Sequence, residues 1–308
     1  MSRIKLGLVG IGKIARDQHL PVLALSPDFE LVATASRNAS VPGVRAYRDL
    51  ADMLEAEPAI EAVSLCTPPG PRVLDAALAL DRGIDVLLEK PPAASLGAAR
   101  ALAARAKKSV LAASWHSRHA PGVEAAREWM SNRQLISAQI EWREDIRIWH
   151  TGQDWILDAG GMGVFDPGIN ALSILTHVVP GQMVVDRAEL GVPSNRQSPL
   201  TAKLSLTGNT GASIRAVFDF LQIGQQTWDI RLVSDAGELA LHEGGARMVI
   251  DGAERTVDAV PHHEYKGVYA SFATCVRDRV SDCDFVPLEI VADAMMLGRQ
   301  STLPAFVF

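Results

Sequence analysis

The sequence predicts an α/β chain in two parts: a parallel sheet covered by helices, then an α+β region built on a mainly antiparallel open sheet. Three observations carry this. The chain has 308 residues, about twice the usual domain length. From Arg3 to about His119, near-continuous apolar runs alternate with amphipathic segments, the pattern of strands buried on both faces by crossover helices. From about Leu135 the pattern changes to longer stretches of alternating polarity, broken by turns such as Gly208-Asn209, which read as antiparallel strands. The expected division is 1–120 and 121–308, changing over near Pro121 just before a connecting helix Val123–Met130.

Taken in order, Arg3–Gly10 is a buried strand by its run Ile4, Leu6, Leu8 and Val9. Leu31–Ala35, Ala62–Cys66, Asp85–Leu88 and Val110–Ala113 are of the same type, with helices expected over Val73–Asp81 and Leu96–Ala106. In the second part, strands are expected at Ser137–Ile148, Ala202–Leu206, Ala212–Phe220 and Thr227–Val233. Helices near Met162–Val179, Tyr265–Arg279 and Leu288–Gln300 would cover one face of that sheet. The other face, bearing Thr227, Asp229 and Arg231, is left broad enough to seek a second copy. A homodimer or higher homo-oligomer is therefore expected.

Composition narrows the class. With 48% hydrophobic and 21% charged residues the chain can bury large cores and is not of disordered type. A net charge of −6 speaks against nucleic acid or an anionic membrane as partner. Neither a secretory leader nor a membrane-length apolar run is found, so a cytoplasmic protein is expected. Cys66, Cys275 and Cys283 make an odd number, no disulfide framework, and read as reduced thiols. The pair His116-x-x-His119 has no thiolate or carboxylate at ligand spacing beside it, so no metal is expected.

Gly10-Ile11-Gly12-Lys13-Ile14-Ala15 follows the first strand directly and opens a helix. Gly10 permits the tight turn, Gly12 lets main chain approach a pyrophosphate, and Ala15 is small enough for close helix–strand packing. The helix start then offers N–H groups to phosphates. In this context the turn reads as a dinucleotide site on a Rossmann domain rather than an ordinary strand–helix turn. After the second strand, where an NAD-selective site usually carries an acid, stand Ser36 and Arg37, which suit a 2′-phosphate. NADP is the expected cofactor, with NAD also used. Further contacts to it are expected from Cys66, Thr67, Pro68, Glu89 and Lys90.

Glu89-Lys90-Pro91-Pro92 lies at the carboxyl end of the fourth predicted strand, where such sheets bind ligands. With the glycine turn and the antiparallel second part, the chain resembles the glucose–fructose oxidoreductase and inositol dehydrogenase superfamily over its whole length. Four stretches, Gly10–Pro21, Glu89–Pro92, Trp115–Arg118 and Gly163–Ser173, are similar to the bacterial L-arabinose and D-galactose 1-dehydrogenases within it. The resemblance implies a cis Lys90–Pro91 bond, a residue pair facing the nicotinamide, and a sugar held between the domains. It further implies oxidation of an aldose at its anomeric hydroxyl to the lactone.

Such an oxidation needs a hydride acceptor and a group to take the hydroxyl proton. Lys90 and Asp166 are the candidates for the proton. Asp166 and Asn170 are four apart and share a face if helical, although Asp166-Pro167 also reads as a helix cap with proline following. The superfamily often has His where Asn170 stands; Asn cannot titrate, so its expected role is to hold a substrate hydroxyl. Around Trp142, Ile136, Ala138, Ile140, Ile146 and Ile148 share one apolar face; Glu144 and His150 fall on the same parity, and a buried carboxylate needs partners that sugar hydroxyls would provide. An internal salt bridge with a nearby Arg is the alternative. Trp149, Trp155 and Trp228 are candidate stacking surfaces for a sugar ring, although a Trp in a sheet is more often core and Trp228 shares a face with Ile230 and Leu232, which supports the core reading. The resemblance favours His116 as a sugar ligand. Two other readings stay open: an inositol or other cyclic polyol dehydrogenase, and a non-catalytic regulator that binds dinucleotide and sugar.

Overall fold

The computed structural model describes residues 2–308. It divides into two compact units, one holding the chain up to His116 together with Pro261–Phe285, the other Ser117–Val260 with Val286–Phe308.

The first unit is built on six parallel strands: β1 (Ile4–Val9), β2 (Phe29–Ala35), β3 (Arg45–Tyr47), β4 (Ala62–Leu65), β5 (Asp85–Glu89) and β6 (Leu111–Ser114). Their order is β3-β2-β1-β4-β5-β6, the doubly wound arrangement of two mononucleotide-binding halves. Five of the six stand where the apolar runs put them. Strand β3 is three residues long and largely exposed, so it carries no apolar run to read. Alternate residues of each strand feed two cores. Val63, Leu65, Val86 and Leu88 pack with α2 (Leu50–Ala56), α3 (Pro69–Asp81) and α4 (Leu96–Arg105). On the opposite face Leu6, Leu8, Ala62, Leu87 and Ala112 pack with the first helix. That helix runs over 13–24, a π-helical turn Ala15–His19 leading into α1 (Leu20–Ala24).

The second helix on this face comes from much later in the chain. In the second unit stand α5 (Val123–Met130), α6 (Ile146–Trp149), α7 (Phe165–Val178) and α9 (Val286–Leu297), while α8 (His263–Asp278) belongs to the first. The expected helix Tyr265–Arg279 therefore covers the parallel sheet and not the antiparallel one. Its stripe Tyr265, Val268, Tyr269, Phe272 and Ala273 is buried against β1 and β2, and Phe272 stacks on Phe29 at 5.6 Å and 9°. The crossovers α3 and α4 both lie on the other face, so this face needs a further helix to bury its apolar side chains.

The second unit carries a sheet of nine strands: β7 (Leu135–Arg143), β8 (Met183–Pro193), β9 (Thr201–Gly208), β10 (Ser213–Asp219), β11 (Thr227–Ser234), β12 (Gly237–His242), β13 (Arg247–Ile250), β14 (Ala253–Arg255) and β15 (Arg299–Leu303). The order is β14-β13-β12-β11-β7-β10-β9-β8-β15. All neighbours are antiparallel except β7 with β10 and β8 with β15. Helix α7 lies on its inner face, with Phe165 edge-on to Phe218 at 5.8 Å and Gly168 letting the helix come down on that ring. On the open face Gln139, Glu141, Arg215 and Arg231 are exposed, with Ile136 54% and Val184 51% exposed among them.

Three expectations in this unit are corrected. The strand expected over Ser137–Ile148 ends at Arg143, because Asp145 turns the chain by accepting the Arg147 N–H at 2.9 Å and starts the helical turn α6. The parity argument therefore does not reach His150, and Ile148 is exposed. Ile136, assigned to the apolar face, is also exposed; opposite it the register shifts between Val233 and Ser234, and Leu135 is the residue buried instead. Lastly, the helix expected to run to Gln300 stops at Leu297, and Arg299–Leu303 pairs as the edge strand β15. Among the described residues no helix is long and apolar enough to cross a membrane, and the three cysteines are unpaired.

Candidate functional site

In the first unit the glycine turn has the shape its residues predicted. Gly10 has φ +87°, and a Cβ there would stand 2.8 Å from the Thr67 nitrogen. The backbone is left-handed and the space is closed, so only glycine fits. At Gly12 a Cβ would meet nothing within 4 Å, while Ala15 is fully buried under the strand. Ile11 is buried and Ile14 half-buried at the helix start, and Lys13 is exposed and paired with Asp17. At the end of β2, Ser36 donates its N–H to Tyr47 O at 3.0 Å. Arg37 beside it is exposed, and no hydrogen bond or ion pair to another described residue engages it. Beyond β4, Cys66 donates its main-chain N–H to Val9 O at 2.7 Å, placing Thr67 and Pro68 next to Gly10. The Thr67 hydroxyl oxygen is buried with no partner. Open space over Gly12 and an orphaned hydroxyl across the turn are what the pyrophosphate of a dinucleotide would meet, so these residues fit the cofactor.

Lys90 follows β5 directly, half-buried, and its bond to Pro91 is cis. Glu89 is buried. Its Oε2 accepts the Lys90 N–H at 2.9 Å, and its Oε1 accepts from the Tyr265 hydroxyl at 2.7 Å and from His19 Nε2 at 2.9 Å. His19 Nδ1 reaches the Tyr269 oxygen at 2.7 Å, and that hydroxyl donates to Ser64 Oγ at 3.2 Å. Burial works against a charged imidazole here. The Cys66 sulfur, Tyr269 and Glu89 outweigh it and hold the His19 pKa well above the ordinary histidine range. Burial also penalises the Glu89 carboxylate, but His19, His116 and the Tyr265 hydroxyl hold its pKa far below the usual carboxylate value. The two form a buried ion pair. His116, just past β6, stacks on Tyr265 at 5.3 Å and 18°, and its Nδ1 pairs with Glu264. His19, Glu264, Tyr265 and Tyr269 had no role in the sequence reading. Nothing in their local pattern signals one, because the partners that define it are up to 250 residues away.

A second group of predicted residues meets within the other unit. Glu144 is 5% exposed. Its Oε2 accepts from Trp228 Nε1 at 3.0 Å, and its Oε1 lies 3.3 Å from His150 Nε2. That same nitrogen stands 4.0 Å from Asp166 Oδ2, while His150 Nδ1 is buried without a partner. Trp149 is 44% exposed and meets Trp228 edge-on at 5.6 Å. The salt bridge with an arginine that was one reading of Glu144 is replaced by these indole and imidazole partners. Asp166 is not the helix cap either: Val164 holds that position, and Asp166 sits buried inside the first turn of α7, with half-buried Asn170 one turn further along the same face. Trp155, in a separate 3-10 turn, makes no ring contact with this cluster among the described residues.

Comparison with known proteins identifies the family. Residues 4–115 match the family described as an oxidoreductase family with an NAD-binding Rossmann fold. The chain is 44% identical over 306 residues to the galactose 1-dehydrogenase of Pseudomonas fluorescens, spanning 99% of both chains. The crystal structure of a D-galactose-1-dehydrogenase protein from Rhizobium etli superposes with a TM-score of 0.94 at 47% identity, covering 100% of this chain and 99% of that one. A 3-ketoreductase from Actinomadura kijaniata, solved with NADP, shares the fold with a TM-score of 0.84 at 18% identity over 98% of this chain and 100% of its own. The chain belongs to the glucose–fructose oxidoreductase and inositol dehydrogenase family, oxidoreductases with an NAD(P)-binding Rossmann fold.

Proposed function

We propose that the protein oxidises the anomeric hydroxyl of an aldose, D-galactose or L-arabinose, to the corresponding lactone, with NADP preferred over NAD. The observation that carries this is the cluster of buried Glu144 and Asp166 with half-buried His150 and Trp228 in the second unit. It combines a carboxylate acceptor, an imidazole with one unpartnered nitrogen and flanking indole rings, the mixture of polar and aromatic surface that a sugar ring requires. The full-length similarity to a galactose 1-dehydrogenase supports the same reading.

The oxidised nicotinamide, when bound, supplies the hydride acceptor. In this proposal the chain's own residues do the rest. Lys90 and Asp166 take the hydroxyl proton as the carbonyl forms, so that sugar and oxidised cofactor become lactone, reduced cofactor and one proton. Asn170 presents an amide that cannot titrate and holds a neighbouring hydroxyl. Glu144 and His150 orient further hydroxyls, Trp149 and Trp228 flank the ring, and His116 adds a ligand. Gly10, Ile11, Gly12, Lys13, Ile14, Cys66, Thr67 and Pro68 form the pyrophosphate turn.

The test is a panel of aldoses and cyclic polyols with each cofactor, followed by identification of the product. A lactone with NADPH formation is expected. A keto-polyol would replace this reading by a polyol dehydrogenase, and binding without turnover would replace it by a regulator.

Cofactor choice is tested separately at Arg37. Losing a charge-assisted bidentate contact costs about 1.5–3 kcal/mol, roughly 10–150-fold in affinity. Arg37→Ala is therefore expected to raise the Michaelis constant for NADP by about that factor while leaving NAD nearly unchanged. Equal effects on the two cofactors would remove Arg37 from the 2′-phosphate site.

A further inference from the structure

The His19–Glu89 pair is buried, its side chains 0% and 4% exposed. Burying a charge pair there is a poor way to stabilise a fold, since well-packed apolar residues of similar volume usually do as well or better. What the pair does provide is a fixed acceptor for one particular N–H. Strand β5 ends at Glu89, so the Lys90 N–H lies beyond the ladder and needs another partner. Glu89 Oε2 accepts it at 2.9 Å. The other carboxylate oxygen is tied by Tyr265 and His19. Both imidazole nitrogens point N–H groups at acceptors, Glu89 on one side and the Tyr269 oxygen on the other, and the Tyr269 hydroxyl passes its proton toward Ser64. Both oxygens of the carboxylate are thus engaged, by the Lys90 N–H on one side and by Tyr265 and His19 on the other, so it has little freedom to swing.

The carbonyls around the same residue are held too. The buried guanidinium of Arg72 donates to the main-chain oxygens of Glu89 and Pro91, one on each side of Lys90, and its Nε donates to Thr67 O at 2.8 Å. The backbone carrying Lys90 is thus gripped at its N–H by Glu89 and at both flanking carbonyls by Arg72.

We propose that Glu89, backed by His19 and Tyr265, is a positioning residue for the reaction: it sets the main chain from which the Lys90 amine reaches the substrate. This rests on the role given to Lys90 above. It also assigns helix α8 a part in catalysis, through a tyrosine 176 residues from Glu89. Positioning of this kind matters because a displacement of about 1 Å at a reacting group can cost on the order of 10²-fold in rate.

Three variants test it with D-galactose and NADP: Glu89→Gln, Tyr265→Phe and Lys90→Met. Glu89→Gln keeps the volume but loses the charge that holds His19. It is expected to lower kcat by about 10–100-fold, while the KM for galactose stays within roughly threefold of the wild type. Tyr265→Phe removes one hydroxyl and is expected to lower kcat several-fold with the same unchanged KM for galactose. This variant decides the matter if Glu89→Gln does not fold. Wild-type kcat in the folded variants while Lys90→Met is inactive would overturn the positioning role alone. Loss of NADP binding in proportion to kcat would also overturn it, since the network would then serve the fold or the cofactor. Wild-type turnover in Lys90→Met would instead remove the role of Lys90 itself, and the proposal with it.

Discussion

Replacing Lys90 by Met or Asp166 by Asn is expected to cut turnover by roughly 10²–10⁴-fold, the usual contribution of a general acid or base. Lys90 leaves β5 with its main chain held by Glu89 and Arg72, so the methionine side chain loses the amine without disturbing its anchorage. Asp166 is 6% exposed in the first turn of α7, and Asn there keeps size and hydrogen bonding but cannot accept a proton as a carboxylate does. Cofactor affinity, read by fluorescence titration, is expected to survive in Asp166→Asn. If both groups serve one proton transfer, the double variant is little worse than the poorer single one, because residues acting as a unit are not additive. Near-normal turnover in either single variant would show that the proton goes elsewhere. His150 is then the next group to replace, its Nε2 lying 4.0 Å from Asp166 Oδ2.

His19→Leu is expected to lower stability by about 3–5 kcal/mol, because it leaves the Glu89 carboxylate buried without its counter-charge. Replacing both residues by Leu is expected to cost less than the single change: it removes the stranded charge along with its partner, although the Lys90 N–H and the Tyr265 hydroxyl lose their acceptor. The two also predict how stability follows pH. Glu89 is held below its ordinary 4.5, so its contribution is present above that value and fades as pH falls through the depressed folded value. His19 is held well above 6.5; its contribution is complete below 6.5 and fades as pH rises through the folded value. The wild type should therefore lose thermal midpoint at both ends of the pH range relative to the double-Leu protein. Parallel curves for the two proteins would refute the ion pair.

The parallel strands and the cofactor turn were legible because their physics is local. A strand buried on both faces must be apolar throughout, and a turn with φ +87° at Gly10 and main chain 2.8 Å from its missing Cβ must be glycine. The place of Lys90 was legible for a related reason, since an apolar run that ends at Leu88 sets it at the carboxyl end of a parallel strand. The residues around Glu144 were legible in kind but not in cause. Polarity alternation pointed to a buried carboxylate, yet the strand stops at Arg143, and the burial comes from Trp228 and His150 closing over Glu144 after the chain has turned.

By itself, then, the sequence determined the fold class, the dinucleotide turn and the identity of the charged and aromatic residues available for chemistry. Only the tertiary structure decided which of them work together. Helix α8 shows why. Its spacing of Tyr265, Val268, Tyr269 and Phe272 specifies an amphipathic helix, but an apolar stripe is complementary to any apolar sheet and does not name its partner. The partner is decided by which face would otherwise stay exposed, and here that is the face of the parallel sheet that the first helix covers in part, while α2, α3 and α4 run on the other side. Once docked there, the same helix brings Tyr265 and Tyr269 to Glu89 and His19, and a buried ion pair exists that no stretch of the sequence contains.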